Sequence, residues 1–216
     1  MHVDVSRQDK NGRRGRGIPM KEIKVNDKIS YIACSEDPLS ADVGIIREPD
    51  GIWLYDVGND VRNLEGLDGK YNVVLSHFHL DHVGSLEKLN VQTLFLSKET
   101  QKHVNLQGVI TETDVYVGNL HIFPLRSSHA KGSLGLEVDE KYAFVGDALY
   151  CKAKDGKYCY NAQLLREEIE KLKSLKAPWL LASHHPGLIR KKDEVIAELE
   201  EIYAKRVQGS PEIFLS

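Results

Sequence analysis

Four residues of metal-ligand type lie within one six-residue segment, His77-Phe78-His79-Leu80-Asp81-His82. Imidazole and carboxylate groups are good ligands for zinc, iron or manganese, whereas the same groups clustered without a metal would carry a costly local charge. The chain contains nine histidines among 216 residues. At that frequency, such a four-position pattern arises by chance in about one sequence in a thousand. We therefore interpret the segment as a metal-binding motif.

The spacing within this motif favours two ions. His77 and His79, which are two residues apart, can point to one ion, while Asp81 and His82 at the start of a following helix can face a second. Phe78 and Leu80 are then expected to pack beneath the motif. Two ions need further ligands, which we expect at the ends of later strands.

Three later residues meet this expectation because each of them follows an apolar run. His129 follows a predicted strand, Asp147 follows residues 142–146, and His184 follows residues 179–183. Functional residues commonly lie on loops at strand ends, so these positions predict that the strands carry all three side chains to one site.

In order and spacing, these residues resemble the metallo-β-lactamase superfamily, whose pattern is HxHxDH, then a histidine in an HxxGS-like stretch, then GD, then a last histidine. The resemblance covers about residues 23–185. It includes Trp53-Leu54-Tyr55-Asp56-Val57-Gly58, which is similar to the early hydrophobic-Asp-x-Gly motif of that family. The resemblance implies an α/β fold, a four-layer αββα sandwich with the site along one edge. It also implies that Asp56 supports a ligand rather than binding a metal.

The same resemblance implies a division of the ligands between two ions. The first ion would be bound by His77, His79 and His129, and the second by Asp81, His82 and His184, with Asp147 bridging them. The neighbouring His185 leaves the last ligand open, and we favour His184 because the family's ligand comes about two residues beyond the apolar strand. We expect zinc, with manganese or iron(II) as alternatives.

Two divalent ions that share a water can lower its pKa towards ~7 and present hydroxide to a carbonyl or a phosphorus. Asp81 is predicted to orient this bridging hydroxide and to handle its proton. Tyr150, three residues after Asp147, resembles the tyrosine with which some lactonases of the superfamily hold the carbonyl oxygen, and is the second predicted catalytic residue. Lys131 is a candidate contact for an anion.

These features predict a metal-dependent hydrolase of a small ester, thioester or lactone. One alternative is a phosphodiesterase with the same two-metal site. Another is a mononuclear iron oxidoreductase similar to persulfide dioxygenases, which share the stretch Gly146-Asp147-Ala148-Leu149 but not its continuation Tyr150-Cys151-Lys152. A purely structural role for the metals is disfavoured, since structural zinc sites are closed by four ligands that usually include thiolates.

The elements that must position these residues can be read from the hydrophobic pattern. Short runs rich in branched and aromatic residues predict strands, and the first three of them predict an antiparallel start. The predicted strands are residues 23–34, 42–47, 52–57, 71–76, 93–96, 115–125, 134–138 and 142–145. Helical periodicity predicts helices over residues 82–89, 162–175 and 191–204. Residues 148–161 lack a hydrophobic pattern and are predicted to form a loop that lines or covers the site.

The composition of the whole chain, with 41% hydrophobic and 28% charged residues, is typical of a globular protein. We predict one domain over residues 20–216, and a flexible leader over residues 1–19 that is either an upstream extension or a cloning remnant. The net charge of −3 disfavours nucleic-acid and membrane partners, so a small-molecule substrate is expected. The absence of a signal-peptide pattern and the spacing of the three cysteines predict a cytoplasmic location. The oligomeric state is left open.

Overall fold

The structure is a computed structural model that describes residues 22–215. The predicted leader over residues 1–19 lies outside the described residues, and the prediction of one domain over residues 20–216 stays a prediction.

The described residues form eighteen strands and four α-helices. In chain order the strands are β1 Glu22–Lys24, β2 Ile29–Ile32, β3 Ser35–Glu36, β4 Leu39–Ser40, β5 Val43–Glu48, β6 Gly51–Tyr55, β7 Lys70–Val74, β8 Asn90–Leu96, β9 Val109–Ile110, β10 Val115–Val117, β11 Leu120–Leu125, β12 Ser133–Val138, β13 Tyr142–Gly146, β14 Lys152–Lys154, β15 Lys157–Asn161, β16 Trp179–Ala182, β17 Ile189–Lys191 and β18 Glu212–Phe214. The helices are α1 Leu80–Val83, α2 Lys98–Gln101, α3 Ala162–Ser174 and α4 Lys192–Ala204, with 3₁₀ turns at Val61–Leu64 and Leu86–Lys88.

Two large sheets contain most of these strands. The first has the order β1-β2-β5-β6-β7-β8-β9 and the second the order β10-β11-β12-β13-β16-β17. The first sheet begins antiparallel, as predicted, and becomes parallel from β6 to β9. In the second sheet, β13 and β16 are the parallel pair. Parallel neighbours end at the same edge of their sheet, so the residues that follow them lie near one another.

Alternating side chains divide the apolar residues into layers, because successive residues of a strand point to opposite faces. Val74 of β7 packs between the two sheets, while Val73 packs on the outer face of the first sheet. Likewise Leu181 of β16 lies between the sheets and Leu180 lies on the outer face of the second. The sheets are therefore buried on both faces.

Helices cover both outer faces. On the second sheet, α3 contributes Leu165, Ile169 and Leu172, whose spacing places them on one side of the helix. On the first sheet, the outer layer is thinner and includes Val83 of α1 and Leu86 of the adjacent 3₁₀ turn. The four layers confirm the predicted αββα sandwich.

Two predicted elements are shorter than expected. The predicted strand over residues 115–125 is a hairpin of β10 and β11, which turns at Gly118 with a positive φ of 56°. The predicted helix over residues 82–89 stops at Val83. Beyond it the helical bonding is replaced, because the N–H of Ser85 donates to the carbonyl of Gly58 at 2.9 Å and the carbonyl of Asp81 accepts the N–H of Ala41.

The prediction of an unpatterned loop over residues 148–161 is wrong in part. This segment contains β14 and β15, which join β18 in a three-stranded sheet near the end of the chain. Their alternation is hard to recognise, because the strands are short and residues 153–158 are exposed.

Within residues 22–215, no helix has the length and apolar character needed to cross a membrane. Cys34, Cys151 and Cys159 are free thiols.

Candidate metal centre

Seven predicted ligands come together at one edge of the sandwich. The segment after β7 carries the HxHxDH motif into α1, and the loop between β11 and β12 carries His129. Asp147 follows β13 directly, and His184 lies just beyond β16. The positions at strand ends therefore predicted the assembly of this site correctly, whereas the ligand role of each residue stays a prediction.

Three of these side chains form a first group. The Nε2 atom of His77 lies 2.9 Å from Nδ1 of His79, and Nε2 of His129 lies 3.1 Å from the same Nδ1 atom. The rings of these pairs meet edge to face rather than stacking, and the ring nitrogens lie close together. His77, His79 and His129 are thus able to hold one metal ion.

Asp81, His82, Asp147 and His184 form a second group. The Oδ2 atom of Asp81 lies 3.1 Å from Nε2 of His184 and 3.6 Å from Nε2 of His82. The sequence left the choice between His184 and His185 open, and it is His184 that reaches the group.

Asp147 lies between the two groups. Its Oδ2 atom is 3.3 Å from Nε2 of His129 in the first group and 3.3 Å from Nε2 of His82 in the second. A single carboxylate oxygen at equal distance from both groups is the arrangement that a bridging ligand requires.

Asp56 supports His82 from below the site. Its Oδ2 atom lies 2.8 Å from Nδ1 of His82, and its Oδ1 atom accepts the backbone N–H of Ser76. A carboxylate on one ring nitrogen fixes the orientation of an imidazole and leaves the other nitrogen for a ligand role. Asp56 is fully buried and adopts a positive φ of 57°, which aspartate tolerates better than most residues.

The electrostatics of the two groups differ. Burial, followed by the charge of the neighbouring imidazoles, holds the pKa of His77 well below its usual range, so its ring is neutral and able to bind a metal. Burial disfavours charge on His82 as well, but the carboxylates of Asp56 and Asp147 outweigh it and raise the pKa of His82 to about 10. The second group is therefore a place where positive charge is stabilised.

The carboxylate of Asp81 is held in its ionised form. Burial acts to raise the pKa of Asp81, but the hydrogen bond from His184 and the charge of His82 bring it below its ordinary value. An ionised carboxylate is able to bind a cation and to accept a proton.

Two buried atoms of the second group have no hydrogen-bond partner within residues 22–215, namely Nε2 of His82 and Oδ1 of Asp147. An unpaired buried polar atom costs about 1–3 kcal/mol, so such atoms commonly have a functional partner. The donor set of imidazole nitrogens and carboxylate oxygens suits zinc, iron and manganese. The residues therefore fit divalent metal ions.

Exposure separates the seven side chains into a floor and a rim. His77, His82 and Asp147 are buried and form the floor. The rim consists of His79, Asp81, His129 and His184, which are all half-buried. Groups on the rim are the ones that a molecule entering from solvent contacts first.

The expectation that Phe78 and Leu80 pack beneath the motif is wrong. Leu80 is 67% exposed at the start of α1, and the ring of Phe78 stacks on His103 at 4.4 Å. The core on this face is instead filled by Val83 and Leu86. The two apolar residues of the motif therefore do not fill the core beneath its buried histidines.

Of the remaining predicted contacts, Tyr150 lies beside the site, with 6.3 Å between its ring centroid and that of His129. The hydroxyl of Tyr150 donates a hydrogen bond of 2.6 Å to the backbone carbonyl of Ser183, next to His184. Burial, followed by the nearby charge of Asp147, raises the pKa of Tyr150 to about 12, so the hydroxyl keeps its proton. Lys131 is exposed and lies 3.6 Å from Glu99.

The sequence analysis missed Asp42 as a residue of the site. Asp42 is buried just before β5, where its Oδ2 atom accepts the backbone N–H of His184 at 2.9 Å. The available signal was an acidic residue inside the apolar stretch that leads into β5, since a buried carboxylate needs hydrogen-bond partners.

No protein-family model matches the chain, and no curated protein matches its sequence. Its structure, however, is similar to solved structures. The metallo-β-lactamase MIM-1 from Novosphingobium pentaromativorans has a TM-score of 0.62 and 16% identity over 86% of this chain and 89% of that one. An archaeal metallo-β-lactamase superfamily protein from Sulfolobus tokodaii has a TM-score of 0.53 and 16% identity over 79% and 83% of the two chains.

The flavodiiron protein from Giardia intestinalis is also similar, with a TM-score of 0.60 and 12% identity over 86% of this chain and 59% of that one. At such low identities the likeness establishes a shared fold. Proteins named for different chemistries share it, so the reaction must be argued from the site.

Proposed function

The chain has the metallo-β-lactamase fold, and on this premise we propose that it is a metal-dependent hydrolase of a small ester, thioester or lactone. The observation that carries the proposal is the pair of ligand groups joined by Asp147 at the edge of the sandwich. Both groups have members on a solvent-accessible rim, so a small molecule is able to reach them.

In this proposal His77, His79 and His129 hold one ion, Asp81, His82 and His184 hold a second, and Asp147 contacts both. When bound, two such ions supply the positive charge that activates water at neutral pH and polarises the attacked oxygen. We expect zinc, because nitrogen and carboxylate donors suit it and its geometry is adaptable.

The residues around the ions have separate tasks. Asp56 holds His82 in one orientation through the contact of 2.8 Å, so that Nε2 faces the site. Asp81 remains ionised and lies on the rim, where it is placed to orient a water molecule and to accept its proton. The buried floor excludes bulk solvent from one side of the reacting groups.

Replacement of Asp81 tests this assignment. We expect Asp81→Ala to lower turnover of a responsive ester, thioester or lactone by about 100-fold or more, since a positioned acid or base contributes a factor of that order. The backbone carbonyl of Asp81, which accepts the N–H of Ala41, remains in the variant, so the fold should persist. Steady-state kinetics, metal content and circular dichroism would be measured together.

Asp68→Ala is the matched control, because Asp68 is exposed and belongs to neither ligand group. It should retain full activity. Undiminished turnover by folded Asp81→Ala would contradict the proposed role, and the lack of metal-dependent turnover of any ester, thioester or lactone by the wild type would contradict the function.

The mononuclear iron oxidoreductase remains the rival, because imidazole and carboxylate donors suit iron as well as zinc. The metal content of the purified chain separates the two. Two zinc or manganese ions per chain would support the hydrolase, and one iron per chain would support the oxidoreductase. The second ligand group, with four convergent side chains, favours two ions.

A further inference from the structure

The peptide group that joins Ser183 to His184 is hydrogen-bonded at both of its polar atoms. Its carbonyl oxygen accepts the hydroxyl of Tyr150 at 2.6 Å, and its N–H donates to Oδ2 of Asp42 at 2.9 Å. These two partners come from distant parts of the chain, one before β5 and the other after β13. The plane of this peptide is therefore fixed from two sides.

Asp42 is itself held firmly in place. Its backbone N–H donates to Oγ of Ser183 at 3.1 Å, and its Oδ2 atom accepts the hydroxyl of Ser183 at 3.2 Å. Its Oδ1 atom accepts the backbone N–H of Cys34 at 3.1 Å. Asp42 is also buried, so water does not compete for these bonds.

His184 needs such support because of its backbone. Its φ is +58°, in the left-handed region that residues with a Cβ atom adopt at a cost in free energy. This conformation turns the imidazole towards Asp81, with 3.1 Å between Nε2 and Oδ2. A strained conformation persists when the surrounding structure over-determines it, and strained residues cluster at functional sites.

We propose that Asp42 and Tyr150 are positioning residues that hold His184 in its ligand conformation. The inference rests on the proposed function, because it assigns His184 to the second ion. It also changes the role predicted for Tyr150. The single proton of the Tyr150 hydroxyl is engaged by the Ser183 carbonyl, so Tyr150 acts through His184 rather than on a substrate oxygen.

The substitution Tyr150→Phe tests the inference, since it removes one hydroxyl from a half-buried ring. We expect the more weakly held of two Zn²⁺ ions to bind roughly 10–100-fold more weakly, a loss typical when the support of a metal ligand is removed. The other ion should bind as in the wild type. Titration with Zn²⁺ against a chromophoric chelator gives both affinities, and the absorption of the Co²⁺-loaded protein reports the geometry of the affected ion.

Tyr160→Phe is the matched control. The hydroxyl of Tyr160 also donates to a backbone carbonyl, that of Leu149 at 2.7 Å, but Tyr160 lies in the core against α3 and contacts no ligand. Both variants lose one tyrosine-to-carbonyl hydrogen bond. A general loss of stability should therefore appear in both, and a selective loss of one ion in Tyr150→Phe alone.

The second variant, Asp42→Ala, approaches the same peptide from its N–H side. It removes both carboxylate oxygens, including the Oδ2 atom that accepts the N–H of His184. We expect the same selective loss of one ion. This variant tests the inference independently if Tyr150→Phe does not fold.

Several outcomes would overturn the inference. Equal Zn²⁺ affinities in the wild type and both positioning variants would do so, as would an equal loss in Tyr160→Phe. A fall in kcat with both affinities intact would instead return Tyr150 to direct substrate contact. If the wild type bound neither Zn²⁺ nor Mn²⁺, the proposed function itself would fail, and that result differs from all of the others.

Discussion

His82 is the most completely buried of the seven ligand-type residues, and its chemistry depends on the carboxylate behind it. Its side chain is fully buried between Asp56 on one ring nitrogen and Asp147 on the other. These carboxylates oppose the effect of burial and raise the pKa of His82 to about 10. Nδ1 lies 2.8 Å from Oδ2 of Asp56, whereas Nε2 has no hydrogen-bond partner within residues 22–215, although Oδ2 of Asp147 lies 3.3 Å away. With a metal on Nε2, the proton must remain on Nδ1 and face Asp56.

Asp56→Asn is therefore predicted to weaken metal binding more than it weakens the fold. Asparagine tolerates the positive φ at this position and can still accept the N–H of Ser76. In that orientation its amide N–H₂ group faces Nδ1 of His82 and favours the tautomer with the proton on Nε2. We expect roughly 10–100-fold weaker binding of one ion, measured by Zn²⁺ titration.

The control for this prediction is Asp60→Asn. Asp60 is a second buried aspartate nearby, which caps the turn beginning at Val61 and pairs with Arg62 rather than with a ligand. Its substitution should lower the melting temperature and leave both Zn²⁺ affinities unchanged. Full affinity in Asp56→Asn would show that the carboxylate is not needed to orient His82.

At the scale of the elements, helix α3 illustrates what a sequence pattern predicts well and what it hides. The 3.6-residue periodicity correctly predicted a helix, and Asn161 caps it by accepting the N–H of Leu164. The same pattern gave no sign that Glu168 would be fully buried, with neither carboxylate oxygen hydrogen-bonded to any residue of the part of the chain that the structure describes. A charged side chain beside an apolar stripe of a helix usually reaches solvent. Whether neighbouring elements cover it, as they cover Glu168, depends on the packing of the whole fold.

Glu168 is predicted to make the stability of the protein depend on pH. Burial raises its pKa well above the ordinary value of 4.5. The folded state therefore keeps a proton that the unfolded chain releases, and this contribution is complete below about pH 4.5 and is lost as the pH rises towards the folded pKa. Glu168→Gln cannot ionise, so its stability relative to the wild type should be greater at pH 8 than at pH 6.

Urea unfolding at pH 6 and pH 8 measures this effect as the difference in unfolding free energy between variant and wild type. Glu170→Gln serves as the control, since Glu170 is an exposed residue of the same helix and should show little change. An advantage of Glu168→Gln that did not grow with pH would contradict a proton held by the buried carboxyl group.

The sequence predicted the site better than it predicted the local course of the chain. All seven ligand-type residues come together because each follows a strand end, and strand ends are visible as breaks in apolar runs. The errors occurred where tertiary contacts decide the outcome. Helix α1 ends where the N–H of Ser85 bonds to the carbonyl of Gly58, and β15 acquires its partner β18 from residues 212–214, far along the chain. The hydrogen bond from the N–H of His184 to Asp42 likewise joins residues that are 142 positions apart, and no local sequence pattern predicts it.

At the scale of the whole molecule, the site depends on how closely the two sheets approach. Gly44 of β5 faces Phe144 of β13 across the sandwich, and a Cβ atom at Gly44 would lie 2.6 Å from the Phe144 ring. Only two residues separate Phe144 from Asp147, which lies between the two ligand groups. The spacing of the sheets and the placement of this carboxylate are thus coupled through β13.

Gly44→Ala is predicted to destabilise the fold by about 1–3 kcal/mol, because the interior of a packed sandwich has no space for an added methyl group. If the overlap with Phe144 is the cause, then Phe144→Leu in the same chain should recover part of the loss, although Phe144→Leu alone is destabilising. Urea unfolding of the two single variants and the double variant measures this coupling directly. If the losses of unfolding free energy in the two single variants simply add in the double variant, the overlap with Phe144 is not the cause. If the double variant is more stable than that sum and binds Zn²⁺ more tightly than Gly44→Ala, the spacing of the sheets sets the position of Asp147.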